Sequence, residues 1–464
     1  NAACRMQNAE SARMCIRSMV RPERFVIRVL SGFFILHSAF CIRFSFAILA
    51  VLLLDGCTPA SAENKTVIEF WGMGREGEVV AELLPEFEKL NPGIEVRVQQ
   101  MPWTAAHEKL LTAFVGESTP DIAQMGNTWV PEFTAIGALA PLDARIAASP
   151  TIDPEHYFRG IWETNRVDGA IHGVPWYVDT RLLFYRTDVF REAGWDEPPK
   201  TWEEWVRLME AIHEKKLTRW PAFLATNEWQ PPVVLALGTG STILNADGTR
   251  GAFRAPQFRQ AFTFYTDLFD RGYAPELSYN QISNVYQQFA NRDFAMVITG
   301  PWNVGEFRRR LPAELQDDWS TAPMPAPAGK SYPGASVAGG SSLALFAASE
   351  KKDAAWKLVE FLSRPEIQVR FYELSGNLPA RKEAWNAPAF VNDREMRAFR
   401  TQLENVVPTP AVPEWEQIAQ QVWEHAEMTI RGNVPVDETL RRLDATADSI
   451  LGKRRWMLRD REAE

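Results

Sequence analysis

Cysteine is confined to one end of this 464-residue chain: Cys4, Cys15, Cys41 and Cys57 lie in the first 57 residues, and none follows. A disulfide scaffold, a cysteine–zinc site and a thiol nucleophile are thereby excluded from the rest of the chain. A thiol-free body also enters an oxidising compartment without risk of wrong pairing. Histidine is scarce too. Beyond the N-terminal segment only His107, His156, His172, His213 and His425 remain, none at metal-ligand spacing. There is no H-E-x-x-H and no G-x-S-x-G elbow, and GTG at 238–240 is too short for a phosphate loop and lacks its lysine. Carboxylates abound, so counting leaves a glycosidase open, but no pair stands out. Net positive charge is missing as well. The formal charge is −9, and residues 1–62 hold seven Arg against Glu10, Glu23 and Asp55, so subtracting +4 leaves −13 for the remainder. Such a surface repels phosphate backbones and argues against nucleic acid as a partner.

What is present is apolar mass: 46% hydrophobic residues, with 17 Trp and 27 Phe, enough for the cores of two domains. Residues 25–54 are strongly apolar, broken by Arg28 and Arg43, and FSFAILAVLLL (44–54) resembles a signal-peptide core. Two processing routes compete: cleavage after Ala62 in an A-x-A pattern, or a lipobox Leu54-Asp55-Gly56-Cys57 with Cys57 lipidated. An uncleaved membrane anchor is a third. Residues 1–62 are read as leader, which predicts a periplasmic or cell-envelope location.

The body reads as α/β. TVIEFWG (66–72), a helix over 76–90 stopped by NPG, and IEVRVQQ (94–100) form a βαβ unit with parallel strands. A helix over 104–115 leads to the strand DIAQM (121–125). Thr201 and Glu204 predict a capping box for a helix over 202–215. Helices near 257–271 and 281–290 precede the strand FAMVIT (294–299). Residues 320–336, rich in Pro, Ala and Gly, read as a linker. A strand near 341–347, helices at 351–362 and from 363 to Gly376, and a mostly helical tail over 412–453 complete the pattern.

Ligands of open α/β sheets bind beyond the carboxyl ends of strands. Polar and aromatic residues collect there: Trp71 at the end of the first strand and Glu76 after it, Asn127 and Trp129 after the third, and Trp302 after 294–299. In WYVDTRLLF (176–184), Tyr177, Asp179 and Arg181 share one strand face. Indoles suit the C–H faces of a sugar ring, and carboxylates and guanidinium suit its hydroxyl rim. Trp229 in TNEWQ is a second platform; Trp103 reads as core.

Five ordered segments carry a resemblance: TPDIAQMGNTWVPEFTAIGALAPLD (119–143), residues 176–205, FAMVITGPW (294–302), AGGSSLALFAAS (338–349) and residues 354–385. Over 64–450 the chain resembles the extracellular solute-binding proteins of ABC importers, in the group of maltose- and trehalose-binding proteins. The resemblance implies a two-lobed α/β clamp with a hinge of crossing segments, lobe 1 being 63–178 and 326–377, lobe 2 being 179–325 and 378–464. It implies a sugar in the cleft and a membrane permease as partner; a monomer with no cofactor and no metal is expected. It assigns sugar contacts to Glu76, Tyr177, Asp179, Trp302 and, from the second lobe, Arg381. His107 and Asn127 take positions of basic and acidic ligands, and Gly340 and Ser341 bring backbone amides to the sugar. Two other functions stay open: a secreted glycoside hydrolase, and a sensor subunit that presents its sugar to a receptor.

Overall fold

The computed structural model describes residues 65–463, so the N-terminal segment, both expected cleavage positions and Cys57 lie outside the described residues. The described residues form one compact unit. Its strands, in chain order, are β1 (Thr66–Met73), β2 (Ile94–Met101), β3 (Ile122–Gly126), the small hairpin β4 (Arg166–Val167) and β5 (Ala170–Ile171), β6 (Val174–Asp179), β7 (Leu182–Arg186), β8 (Trp220–Phe223), β9 (Phe294–Thr299), β10 (Trp319–Ala322), β11 (Ser336–Val337), β12 (Gly339–Leu345), β13 (Leu378–Pro379) and β14 (Val406–Val407).

Two sheets organise these strands. The larger runs β13-β6-β12-β3-β1-β2 and the smaller β10-β7-β9-β8. β1 pairs in parallel with β2 and β3, as the βαβ pattern requires. The helix expected over 76–90 arrives in pieces, Gly74–Val79, a 3-10 turn Val80–Glu82, and Leu84–Leu90. Pro85, which lacks an N–H, sits in the first turn of the last piece. The linker expected at 320–336 begins with an edge strand instead: β10 pairs antiparallel with β7. Its four residues, half of them Ser and Thr, are too short to show a period. Thr201 Oγ1 accepts from Glu204 N as the capping box requires, but Glu204 Oε2 accepts from Lys200 N, one residue early.

Each sheet is anchored by aromatics. Trp176 of β6, 1% exposed, stacks on Phe371 at 4.4 Å and meets Phe70 of β1 edge-on at 5.9 Å. Behind the smaller sheet, Trp205, Leu208 and Ile212 pack with Phe258, Phe262 and Tyr265. Each such side chain contributes about 1.5–3 kcal/mol by leaving water.

The chain passes between the sheets three times. It leaves β6 through Thr180-Arg181 for β7, and returns from β10 through β11 to β12. The third passage departs from the expected boundary at 378. Leu378–Pro379 pair with β6, and Trp385 Nε1 donates to Pro379 O, so this segment stays with the larger sheet. The chain crosses later, into the helix Arg394–Leu403, where Glu395 O accepts from Thr321 Oγ1 of β10. The passages are tied together. β11 and β14 form a parallel pair, and Ser336 Oγ donates to Arg181 O at 2.6 Å. Gly160 lies so close to β14 that a Cβ there would stand 2.0 Å from Val406 O. Gly160→Ala should therefore cost about 3 kcal/mol of stability, read as a lower denaturation midpoint; a wild-type midpoint would refute this close approach.

Candidate functional site

Strand direction alone brings one edge of each sheet together. In the larger sheet the parallel strands end at Met73, Met101 and Gly126. β12 is antiparallel to β3, with Ser341 opposite Gly126, and to β6, with Gly339 opposite Asp179. The end of β6 and the start of β12 therefore share the carboxyl edge of β1–β3. In the smaller sheet Leu182 opposes Thr299, and β8 runs parallel to β9. Arg181, Trp302 and the turn after β8 therefore share one edge as well. The step Asp179–Leu182 joins the two edges.

At that step lies the densest polar–aromatic contact. Arg181 Nη1 donates to both carboxylate oxygens of Asp179, at 2.7 and 2.8 Å. The same guanidinium lies 4.5 Å over the Trp302 ring. Burial raises the Asp179 carboxyl above its ordinary value, against the pull of Arg181. Trp302 folds back on Gly300, where a Cβ would meet its ring at 2.0 Å, yet the side chain stays 46% exposed. So open an indole beside a hollow suits a ligand platform. Beside it is a hollow of about 270 Å³ lined by Arg181, Glu228, Tyr279, Tyr286, Trp302 and Asn303 among others. Its wall is fixed: Tyr286 OH donates to Asn303 Oδ1 at 2.7 Å, and Asn303 Nδ2 to Thr299 Oγ1 at 2.6 Å.

Glu228 and Tyr279 were not among the residues singled out in the sequence. The strand-end rule that found Trp302 would have found Glu228 had WPAF (220–223) been recognised as a strand. Four residues with an internal proline give no such signal.

The edge of the larger sheet divides the remaining candidates. Tyr177 OH accepts from Ser341 Oγ at 3.0 Å and Gln124 Nε2 at 3.1 Å, while Gln124 Oε1 accepts from Met73 N. Ser341 is fully buried and Tyr177 is 7% exposed. The Ser341 hydroxyl thus binds the sheet together rather than standing open. Gly340 (φ 120°) is required by packing: a Cβ would stand 2.2 Å from Tyr177 O. Asn127 is 4% exposed; its Oδ1 accepts from Ser342 Oγ, and its Nδ2 has no partner among the described residues. Glu76 Oε1 accepts from Asn377 Nδ2 at 2.9 Å.

An indole stands near the end of β1 and just after β2 and β3. Trp103, read as core from sequence, is 36% exposed and meets Trp129 edge-on at 5.6 Å. Lys109 stands 5.0 Å over Trp71. His107 packs on Trp129 at 5.1 Å, and its Nε2 lies 2.7 Å from Glu132 Oε2. That hydrogen bond raises the His107 pKa against a smaller effect of burial. Its contribution to stability is complete below the unfolded value and lost as pH rises through the folded one. The stability lost between mildly acidic and alkaline pH should shrink in His107→Gln, measured by chemical denaturation across that range; an unchanged profile would contradict the pairing.

Two further expected contacts have packing partners of their own. Trp229 meets Trp415 edge-on at 5.5 Å and packs against the core behind the smaller sheet. Arg381 is 4% exposed and follows β13 of the larger sheet, so it does not reach in from the second lobe. Its donors go to Thr151 O, Ser363 O, Glu383 and His156. A buried guanidinium so engaged holds the fold. Arg381→Met should destabilise the protein by about 2–4 kcal/mol with ligand affinity unchanged in the folded fraction; lost affinity at wild-type stability would restore it to the site.

Two sheets with facing strand edges, joined by crossing segments around an aromatic and charged hollow, define a two-lobed binding-protein fold. Residues 73–369 match the family described as bacterial extracellular solute-binding protein, and the chain belongs to that family. The sugar-binding protein MalE of Xanthomonas citri is 46% identical, with a TM-score of 0.82 over 85% of this chain and 99% of that one. A putative binding protein of Brucella abortus is 26% identical over 87% of this chain and 97% of its own length. The diacetylchitobiose binding protein DasA of Streptomyces coelicolor is 24% identical over 77% of this chain and 83% of its own.

Proposed function

We propose that the protein binds a di- or oligosaccharide between the two sheet edges and delivers it to the permease of an ABC importer. The observation that carries this reading is the cluster at the β6–β7 crossing: a carboxylate, a guanidinium and an open indole within one contact shell. Trp302 supplies a face for the ring's C–H bonds. Asp179 and the free nitrogens of Arg181 meet hydroxyls on its rim. The names of similar proteins support a sugar: MalE of Xanthomonas citri is described as sugar-binding, and DasA as binding diacetylchitobiose.

The lobes close as a clamp about the three passages between sheets, because closure adds contacts that the open state lacks. Charge-assisted hydrogen bonds are worth about 1.5–3 kcal/mol each, and ring contacts about 0.5–1.5 kcal/mol. Less the ordering cost, such a set gives a Kd on the order of micromolar. The protein acts as an exported monomer, anchored through Cys57 if the lipobox is used, and performs no catalysis. A hydrolase would instead need two carboxylates about 5–10 Å apart flanking the glycosidic bond.

Titration with a panel of maltose, trehalose, maltotriose and diacetylchitobiose, read by tryptophan fluorescence, tests the reading. At least one sugar should bind without being cleaved, and Trp302→Ala should weaken it about tenfold, or about 1.4 kcal/mol. Cleavage of the bound sugar would favour the hydrolase, and undiminished affinity would remove Trp302 from the site.

A further inference from the structure

Among the described residues the most open indole is not Trp302 but Trp456, 60% exposed, on the helix Gly452–Ala463. This helix carries five Lys or Arg against Asp460 and Glu462, a net of +3 in a chain whose formal charge is −9. Its first turns, KRRWMLR (453–459), hold four cations and no acid. Helical spacing divides these side chains between two sides. Lys453, Trp456, Met457 and Arg459 share one arc, and all four are exposed. Arg454, Arg455 and Leu458 share the other and are half-buried. The inner side is fastened to the body. Leu451, just before the helix, is fully buried behind the smaller sheet. Arg455 donates through Nη1 to Thr249 O at 2.7 Å and through Nη2 to Asp448 O. A fixed helix therefore presents the outer arc.

An indole and a thioether left in water forgo the stabilisation that burial would give. Neither of the two hollows described includes a residue of this helix, so the arc is an open helix surface rather than a groove. A bilayer conforms to such a surface and takes both kinds of side chain at once. Indole and thioether enter the headgroup region, while ammonium and guanidinium meet phosphates. Charge selects an anionic bilayer and sets the orientation. Residues 63–464 sum to −13, so removing the +3 of the helix leaves −16 on the remainder. An acidic body with one basic edge turns that edge toward a negative surface. We propose that the helix Gly452–Ala463 is a membrane-surface contact for anionic phospholipid headgroups, with Trp456 and Met457 entering the interface and Lys453 and Arg459 pairing with phosphates. The inference goes beyond the sugar reading and does not depend on it. One lipid chain attaches a protein only reversibly, and a basic patch is the kind of second signal that makes attachment stable. With Cys57 lipidated, this helix supplies that second signal.

The test uses the chain from residue 63, which keeps every described residue and removes the apolar leader that would itself enter lipid. It is sedimented with vesicles of phosphatidylcholine alone and of equal parts phosphatidylcholine and phosphatidylglycerol. The wild-type protein should bind the anionic vesicles at low salt, bind the neutral ones at least about tenfold more weakly, and come off as salt rises. Lys453→Gln combined with Arg459→Gln, and separately Trp456→Ser, should each weaken binding to the anionic vesicles about tenfold. The melting temperature should stay as in the wild type, because these side chains face water. Wild-type protein that binds neither vesicle, or both equally, would overturn the inference. Undiminished binding in both variants would overturn it by placing the contact elsewhere, and a lowered melting temperature would do so by showing side chains held for folding. Binding to polyglutamate with none to vesicles would overturn it in favour of an acidic protein partner.

Discussion

The Asp179–Arg181 contact is the constraint on which the arrangement of the site depends. Asp179 is the last residue of β6 in one sheet, and Leu182 the first of β7 in the other. Only Thr180 and Arg181 lie between them. Any ligand group that touches this pair is at once beside both sheets. The pair is also poised electrostatically. Burial destabilises the Asp179 charge, and Arg181 offsets part of that cost. Arg181 retains nitrogens that bond to nothing described, and its flat face rests on Trp302.

Around this junction the polar residues separate into two kinds. Tyr177, Gln124 and Ser341 satisfy one another and lock β1, β3, β6 and β12 at the carboxyl edge. Arg381 does the same work elsewhere, drawing Thr151 and Ser363 together. Glu228 and Trp302 are of the other kind: the Glu228 carboxylate bonds to nothing described, and Trp302 stays 46% exposed although Arg181 lies over its ring. Residue type does not separate the kinds. Arg381 and Arg181 read alike in the sequence, yet one is consumed by the fold and the other faces the hollow.

Much of this was readable beforehand, for physical reasons. The parallel pairing of β1 and β2 follows from a strand, helix, strand spacing that allows little else. The strand-end rule placed Asp179, Arg181 and Trp302 together because strand polarity fixes which end is which. It failed where the strands themselves were hidden. WPAF (220–223) and WSTA (319–322) are too short for periodicity, so Glu228 and the edge position of β10 went unseen. Burial was the other blind spot. Ser341 and Gly340 lie at the ligand-facing edge by register, but Ser341 is fully buried and Gly340 packs against Tyr177 O of β6, and a pairing strand from elsewhere in the chain leaves no local trace. Trp103 erred the opposite way: an indole after proline looked like core and stands half open.

The central claim is that the ligand lies where the two sheet edges meet. A crystal structure of the protein with a bound disaccharide tests it most directly. One ring should lie flat on Trp302 with hydroxyls at Arg181 and Asp179. Density for the sugar on any other surface, with none at Trp302 or Arg181, would contradict the account.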